Sequence, residues 1–222
     1  MSDFARTAKT KIKRRPDRGY YDKKTIYEII DAAKFCHIAF VQDGQPFVIP
    51  ALHARRADEL LIHGSSASRL LKHIANGNPL SISIAILDAL IFAKTAFNQS
   101  INFRSVVLFG KGRLIEEEKE KLDALECLTN GLFPGTWDAV RKPTKNEIKA
   151  TSIVAVKIEA ASAKIRNAPP GDDGADRDLP LWAGILPVKQ VIGEPIPAEY
   201  TDKNQPLPDY VLQHISKSEH TK

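Results

Sequence analysis

Small hydroxyl side chains followed by cations make the segment from His63 to His73 the most informative one for chemistry. Gly64 and the serines after it let the backbone turn closely, and a helix start with free N–H groups and hydroxyls attracts an anion. Arg69 and Lys72 follow at helical spacing with His73, which favours phosphate binding. An ordinary capped helix with a solvated basic face is the alternative, because neither common glycine-rich phosphate loop is present. The candidate ligands are His63, Ser65, Ser66, Ser68, Arg69 and Lys72.

Three further segments have residues that suit a flat ligand. Pro50 interrupts a strand pattern, which indicates an edge or a bulge with free backbone groups. A second strand begins with Arg104 and Ser105 and later reaches a glycine, and Trp182 stands near small residues with a ring that can stack. Plain strands and a packing tryptophan are the alternatives. The residues concerned are Ile49, Pro50, Ala51, Leu52, Arg104, Ser105, Val106 and Trp182.

The elements that must position these residues are mostly strands. Alternating and β-branched runs predict strands at 35–42, 45–54, 59–63, 80–92, 103–114 and 151–159, with Asp43-Gly44 as a hairpin turn. Apolar residues at helical spacing predict helices at 23–33, from the serines to about 75, and at 116–130. We expect Asp88, within an apolar strand, to lie at a barrel end, and a buried carboxylate with a partner is the alternative. Several antiparallel strands with few helices predict a mainly β protein, a small barrel with helical additions.

Charge is concentrated at the N-terminus. The 222 residues carry a net charge of +5, but residues 1–24 hold nine Lys and Arg against three Asp, so the remainder is nearly neutral. A nucleic-acid hypothesis therefore rests on this arm, and a basic arm more commonly stays solvated or wraps the body or a partner. The composition, 43% hydrophobic and 27% charged, excludes a wholly disordered chain.

Location and domain organisation follow from the same features. The isolated Cys36 and Cys127 favour free thiols, and the basic N-terminus precedes no apolar stretch, so we expect a cytoplasmic protein. The most apolar run is too short to span a bilayer, and no metal-site pattern is present. We expect a basic arm at 1–18, a folded domain at 19–192 and a Pro-rich tail at 193–222, lying extended over the surface.

The four segments occur in an order that resembles a known family. A hairpin, His-Gly-Ser-x-Ala-Ser-Arg, Arg-Ser-Val-Val-x-Phe-Gly and a late Trp-x-Gly-x-x-Pro follow one another between about residues 13 and 197. This is similar to the pyridoxamine 5′-phosphate oxidase-related, FMN-binding split-barrel proteins, in the flavin-nucleotide-binding branch related to nitroimidazole-resistance proteins. The resemblance implies a six-stranded antiparallel split barrel that forms a homodimer with FMN at the subunit interface.

The resemblance also implies roles for the candidate residues. Ser68 and Arg69 match the pair that holds the FMN phosphate, with Ser65, Ser66 and Lys72 in support. The backbone at 49–52 would face the isoalloxazine edge. Arg104 and Ser105 would reach the flavin from the barrel or from the partner subunit, and Trp182 would approach the neighbouring chain's cofactor.

The reaction itself is left open by the residues. We find no Arg–His pair of the kind that the true oxidases use to hold pyridoxamine phosphate, although Arg166 and Arg177 lie in the corresponding region. We identify no catalytic residue. The leading hypothesis is an FMN-dependent oxidoreductase acting on an unidentified small molecule or electron donor. The alternative is a flavin- or haem-binding carrier without turnover, for which His53 or His63 would be the axial ligand.

Overall fold

Strands dominate the structure. The computed structural model describes residues 3–202 and 204–219. Within them, the strands are β1 (Gly19–Tyr20), β2 (Phe35–Gln42), β3 (Gln45–Leu52), β4 (Ala54–Arg56), β5 (Glu59–Ser65), β6 (Leu80–Phe92), β7 (Ser100–Gly110), β8 (Gly112–Leu114), β9 (Thr151–Lys157), β10 (Ala160–Arg166) and β11 (Gly184–Pro187).

The strands form two antiparallel sheets, and two long segments of the chain pass from one sheet into the other. The first sheet has the order β1-β10-β7-β6-β2-β3, with β11 paired to β6, and the second has the order β4-β5-β9-β8. One residue separates β7 from β8 and two separate β9 from β10, so each pair is one bent strand that serves both sheets. At this bend Gly110 lies so close to the Lys157 carbonyl oxygen that a Cβ would overlap it. β3 lies against β5 without residue pairing among the described residues, which leaves the barrel open there.

Five helices lie in the described residues, and local capping explains where they begin. Asp22 accepts the Thr25 N–H at 2.8 Å before the first helix, and Thr144 forms a capping box with Glu147 before the fourth. None of these helices has the length and apolar character needed to cross a membrane. They are α1 (Lys23–Ala32), α2 (Arg69–Ala75), α3 (Glu118–Leu132), α4 (Lys145–Ala150) and α5 (Asp209–Glu219).

Two apolar clusters form the core. The larger fills the barrel, where α1 and α2 pack against residues of both sheets such as Ile38, Ile82 and Val154. The smaller lies outside the second sheet and joins Leu61 and Ile153 to α3. Side chains alternate across each strand, so a strand such as β5 contributes to both clusters.

Two local features set the register of the first sheet. Asp43 and Gly44 both have positive φ, 52° and 76°, as the predicted two-residue turn between β2 and β3 requires. β6 has a bulge between Leu87 and Ala89, where the register with β7 shifts. Asp88 is the extra residue at this bulge and lies inside the 13-residue strand that the sequence predicts.

The two terminal segments compare differently with expectation, because packing of the arm on the body is one of the arrangements expected for it. The arm packs on the body: Phe4 and Thr10 are buried, and the Phe4 N–H donates to the Tyr21 carbonyl. The tail was expected to lie extended, but α5 is a helix within it, so that expectation is wrong for this part. Residues 203 and 220–222 of the tail lie outside the described residues, as do residues 1 and 2 of the arm.

Candidate functional site

The turn that leads into α2 is built by serine hydroxyls and backbone groups. The Ser65 Oγ accepts the Ala67 N–H at 3.2 Å, and the Ser65 carbonyl accepts the Ser68 N–H at 2.9 Å. Ser68 caps the helix by accepting the Leu71 N–H at 3.5 Å, a long contact that leaves its hydroxyl hydrogen free to donate. Ser66 is exposed beside this turn.

Two exposed cations stand on the first turns of α2. The Arg69 guanidinium carbon lies 4.4 Å from the centre of the Phe47 ring, a cation–π contact that holds the side chain against β3. The side chains of Arg69 and Lys72 make no ion pair or hydrogen bond with another described residue. Both line a cavity of about 360 Å³ together with Asn76 and Asn78. Both cations therefore lie at the mouth of a cavity without an acidic partner among the described residues.

His73 does not join that exposed cationic pair as the spacing predicts. Its ring is buried 4.4 Å from the Phe40 ring centre, and its Nε2 donates to the Pro79 carbonyl at 3.2 Å. One edge of the ring still lines the cavity, together with Gln42. The predicted helical spacing is present, but His73 packs against the apolar side chains of β2 and is therefore buried.

A larger cavity adjoins the first one. It has a volume of about 670 Å³ and an aromatic wall, and it shares Gln42, His73 and Asn78 with the smaller cavity. Phe40 and Phe47 stack within it, with ring centres 5.4 Å apart. A charged cavity thus opens directly into an aromatic one.

The backbone of β3 is a free edge, and residues 46–48 of this strand line the larger cavity, whereas residues 49–52 line neither cavity. Within the described residues β3 pairs with β2 alone, so the amide and carbonyl groups of its other edge have no strand partner. Ile49 and Ala51 point into the barrel, whereas Pro50 and Leu52 point to its outer surface. The predicted edge strand is confirmed, and its free backbone groups can hydrogen-bond to a flat polar ligand.

Arg104 makes an ion pair at the opposite end of β7. Its Nη2 donates to Asp88 Oδ1 at 2.7 Å and its Nε donates to both carboxylate oxygens at 3.1 Å. The hydrogen bond with Asp88 raises the pKa of Arg104, and burial opposes this in part. The bulge in β6 turns the carboxylate toward the guanidinium, so the charge of Arg104 is offset inside the chain.

The other predicted contacts on β7 have their own partners. The Ser105 hydroxyl donates to the Lys164 carbonyl at 3.2 Å on the outer surface of the sheet. Val106 is fully buried in the barrel core and its backbone lies between β6 and β10, so a contact between its side chain and a cofactor is not supported.

Trp182 is 69% exposed and stands near the end of β6. Its ring centre is 5.9 Å from that of Phe92, and it lies over Gly184, where a Cβ would contact the indole at 2.7 Å. The indole therefore packs directly on the glycine, and a larger residue there would displace the ring. An exposed indole in this position is available to a ligand or to another chain.

A single chain does not bring all these residues together. Gly110 lines the larger cavity, and Arg104 is six residues further back along β7, about 20 Å at the usual rise of a strand. The residues of α2 and β3 form one group, whereas Arg104 and Trp182 lie at the other end of the molecule.

His53 and the buried Cys36 thiol make structural contacts, whereas His63 is exposed. His53 is buried, its Nε2 donates to the Ile30 carbonyl at 3.0 Å, and burial lowers its pKa. His63 is exposed on β5, on the face opposite the barrel interior. Burial raises the pKa of the Cys36 thiol to about 12, so it stays protonated and unreactive.

Sequence reasoning missed the residues that complete the two cavities. Phe47 was recoverable, because the two-residue hairpin turn fixes Phe40 opposite Phe47. Gln42 lies at the end of the same hairpin. The position of Asn78 depends on the path of a loop, and the pairing of Asp88 with Arg104 depends on a bulge. The local sequence has no signal for either.

The fold and the site define a protein of the split-barrel class, with a serine–arginine helix start beside an open edge strand. A family model of pyridoxamine 5′-phosphate oxidase matches residues 22–165. The chain belongs to this family, which confirms the resemblance found in the sequence.

Solved structures agree with this assignment. Flavocytochrome Anf3 from Azotobacter vinelandii is 35% identical, with a TM-score of 0.86 over 94% of this chain and 97% of that chain. The FAD and heme binding protein from Mycobacterium smegmatis is 30% identical, with a TM-score of 0.85 over 89% and 97%. A candidate 5-nitroimidazole antibiotic resistance protein from Bacteroides thetaiotaomicron, 20% identical with a TM-score of 0.56 over 66% and 86%, shares the fold alone. A search of curated proteins finds no match.

Proposed function

We propose that the protein is a flavin-dependent oxidoreductase that holds an FMN moiety between α2 and β3. The observation that carries the proposal is the uncommitted charge of Arg69 and Lys72 in a cavity that opens into a larger aromatic one. Family membership and the flavin-related names of two relatives support it.

The residues present fit the parts of FMN. A phosphate takes donors from Arg69, Lys72 and the Ser68 hydroxyl, which are the charge-assisted contacts such a group prefers. The free edge of β3 at residues 49–52 offers backbone donors and acceptors to the polar edge of the ring. The bound flavin supplies hydride or electron transfer, and the protein supplies position and charge.

We further propose a homodimer built on a six-stranded barrel of β2, β3, β5, β6 and the two bent strands. The outer surface of the first sheet supports this, because it exposes a group of apolar side chains where a soluble monomer would rarely leave them. A second copy would bring its Arg104, Ser105 and Trp182 toward the flavin, from which they are separated within one chain. The exposed residues are Phe35, Val41, Val48, Leu87 and Val107.

Light scattering after gel filtration tests the dimer. Val48→Glu places a charge on the proposed interface and is expected to give a monomer, whereas Val140→Glu, at an exposed valine elsewhere, is expected to leave the dimer intact. A monomeric parent protein would contradict the proposal.

The cofactor test is spectroscopic. Purified protein is expected to be yellow, with flavin absorption bands, and mass spectrometry of the released cofactor separates FMN from FAD. Stopped-flow reduction by NADH or NADPH then separates an enzyme from a carrier and identifies the electron donor. Colourless protein that takes up neither FMN nor FAD on reconstitution would refute the function.

A carrier of both flavin and haem is the second candidate, and the names of the two most similar relatives described above favour it. His63 fits an axial ligand better than His53, because it is exposed, whereas the His53 Nε2 is held by Ile30. A Soret band in the reconstituted protein that is lost in His63→Ala but kept in Lys149→Gln supports this candidate. Absence of haem uptake rules it out.

We also propose that residues 19–192 form the flavin-binding unit, with the arm and the tail as additions. A cytoplasmic location is supported by the two free cysteines, Cys36 and Cys127. Nucleic-acid binding has little support, because the arm packs on the body. DNA affinity that falls steeply with salt and disappears on deletion of residues 1–18 would overturn this view.

A further inference from the structure

The arm and the end of β10 enclose a strongly basic pocket, far from α2. It has a volume of about 380 Å³, and five of its lining residues are cations. No aspartate or glutamate is among the described residues that line it. The cations are Arg14, Arg15, Arg18, Lys164 and Arg166.

Most of this charge is not neutralised within the chain. Arg15 pairs with Asp17 at 2.8 Å, but Arg14, Arg18 and Lys164 make no side-chain hydrogen bond or ion pair with the described residues. Like charges held around one pocket repel one another, so their arrangement costs free energy until an anion enters.

Arg166 strengthens the positive field from inside the protein. It is buried, and the four acceptors around its guanidinium are neutral: the Asn102 side-chain oxygen and the carbonyls of Ile101, Ala168 and Pro169. Burial first, and then repulsion from nearby arginines of the arm, lowers its pKa. A buried cation without a carboxylate partner is costly, and an anion in the adjacent pocket compensates it.

An aromatic ring stands at the same pocket. Phe97 lines it and is 95% exposed. The turn that carries this ring is held firmly, because Gln99 exchanges two hydrogen bonds with the backbone of Ala93, at 2.8 and 3.2 Å, and Asn98 donates to Asp172 at 3.4 Å. An exposed aromatic ring on a firmly held turn is a platform on which a planar group can stack.

We propose that this pocket binds the diphosphate of a nucleotide, with the phosphates on Arg14, Arg18 and Lys164 and the base on Phe97. Several cations without an acidic partner suit a multiply charged anion, and the adjacent aromatic ring suits a nucleotide base. Haem, with two carboxylates and a flat ring, fits less well, because no histidine, cysteine, methionine or tyrosine is among the described residues that line the pocket. One of the two phosphates of FAD is the FMN phosphate, which is assigned above to Arg69 and Lys72, so the diphosphate here belongs to a separate nucleotide such as a pyridine dinucleotide.

Calorimetric titration of the purified protein with ADP, pyrophosphate and adenosine tests the chemistry. ADP is expected to bind most tightly, pyrophosphate more weakly and adenosine not measurably, with affinity falling as salt rises. Arg18→Gln with Lys164→Gln is expected to weaken ADP about tenfold for each charge removed, and Phe97→Ala is expected to weaken ADP but not pyrophosphate. The matched control, Lys119→Gln with Lys149→Gln, removes two exposed charges on α3 and α4 and is expected to change nothing.

Repeating the ADP titration with FAD in excess tests whether the nucleotide is separate from the flavin. Unchanged ADP binding is expected, whereas competition by FAD would overturn the assignment to a separate nucleotide. Absence of ADP and pyrophosphate binding, or equal affinity in the parent and the double variant, overturns the proposal. Flavin uptake is measured separately, so failure of this pocket is distinct from failure of the flavin site.

Discussion

Replacement of Arg69 by alanine is the sharpest test of the proposed flavin site. The guanidinium is held over the Phe47 ring at 4.4 Å and is not engaged by another described side chain, so its donors are available to a phosphate. A hydrogen bond between charged groups contributes about 1.5–3 kcal/mol, which predicts an affinity for FMN about 10- to 150-fold weaker in the variant. Quenching of flavin fluorescence on titration of the apoprotein measures this ratio directly.

Two companion variants separate charge from geometry. Phe47→Leu leaves the charge but removes the platform, and should cost about 0.5–1 kcal/mol of FMN affinity, the usual contribution of an exposed cation–π contact. Arg69→Lys keeps the charge without the planar fork and should fall between the parent and alanine. Equal FMN affinity in the parent and Arg69→Ala, with both proteins folded by circular dichroism, would refute the assignment of the phosphate site.

Three further substitutions test the fold and the electrostatics around it. Ser68→Asp keeps a good helix cap but places a negative charge at the phosphate site, so thermal stability should hold while flavin occupancy of the purified protein drops. Gly110→Ala should cost more than about 3 kcal/mol in urea unfolding, because the new Cβ overlaps the Lys157 carbonyl. Arg113 lowers the pKa of Glu120 to about 2 from its usual 4.5, so this contribution to stability is complete above pH 4.5 and is lost as pH falls toward 2. Glu120→Gln should therefore cost about 1 kcal/mol at pH 7 and flatten the acid limb of the stability curve.

Each of these has an outcome that contradicts it. Full flavin loading of Ser68→Asp would mean that the phosphate binds at another place. Wild-type stability of Gly110→Ala would mean that the bend can relax, and Gly193→Ala, at an unhindered glycine, is the matched control. If stability fell with acid pH as steeply in Glu120→Gln as in the parent, other carboxylates would cause the loss of stability.

The first sheet was predictable where local patterns and tertiary packing agree. β2 and β6 have the predicted bounds, because apolar residues alternate along much of both and the Asp43-Gly44 turn fixes the hairpin. The predicted strand at 103–114 is interrupted just after Gly110, where the chain bends from the first sheet into the second. β10 was missed entirely, because its Ala and Ser residues have low strand propensity and its pairing with β7 decides its conformation.

The candidate site was predictable in its parts but not in its assembly. The spacing of Ser68, Arg69 and Lys72 on a helix start follows from sequence, as does the edge position of a strand with Pro50. The pairing of Arg104 with Asp88 does not, since it depends on a one-residue bulge. The basic pocket was also beyond sequence reasoning, because it joins residues 14–18 to residues about 150 positions later in the chain.

The pairing of β1 with β10 has a consequence for how the protein is made. Tyr20 lies opposite Ala163, so the partner of the first strand is synthesised about 140 residues later. At about 5–20 residues per second, the ribosome needs roughly 7–30 s to supply it. During that interval the first strand has no sheet to join. The segment around β1 thus leaves the ribosome well before the strand that fixes its final place.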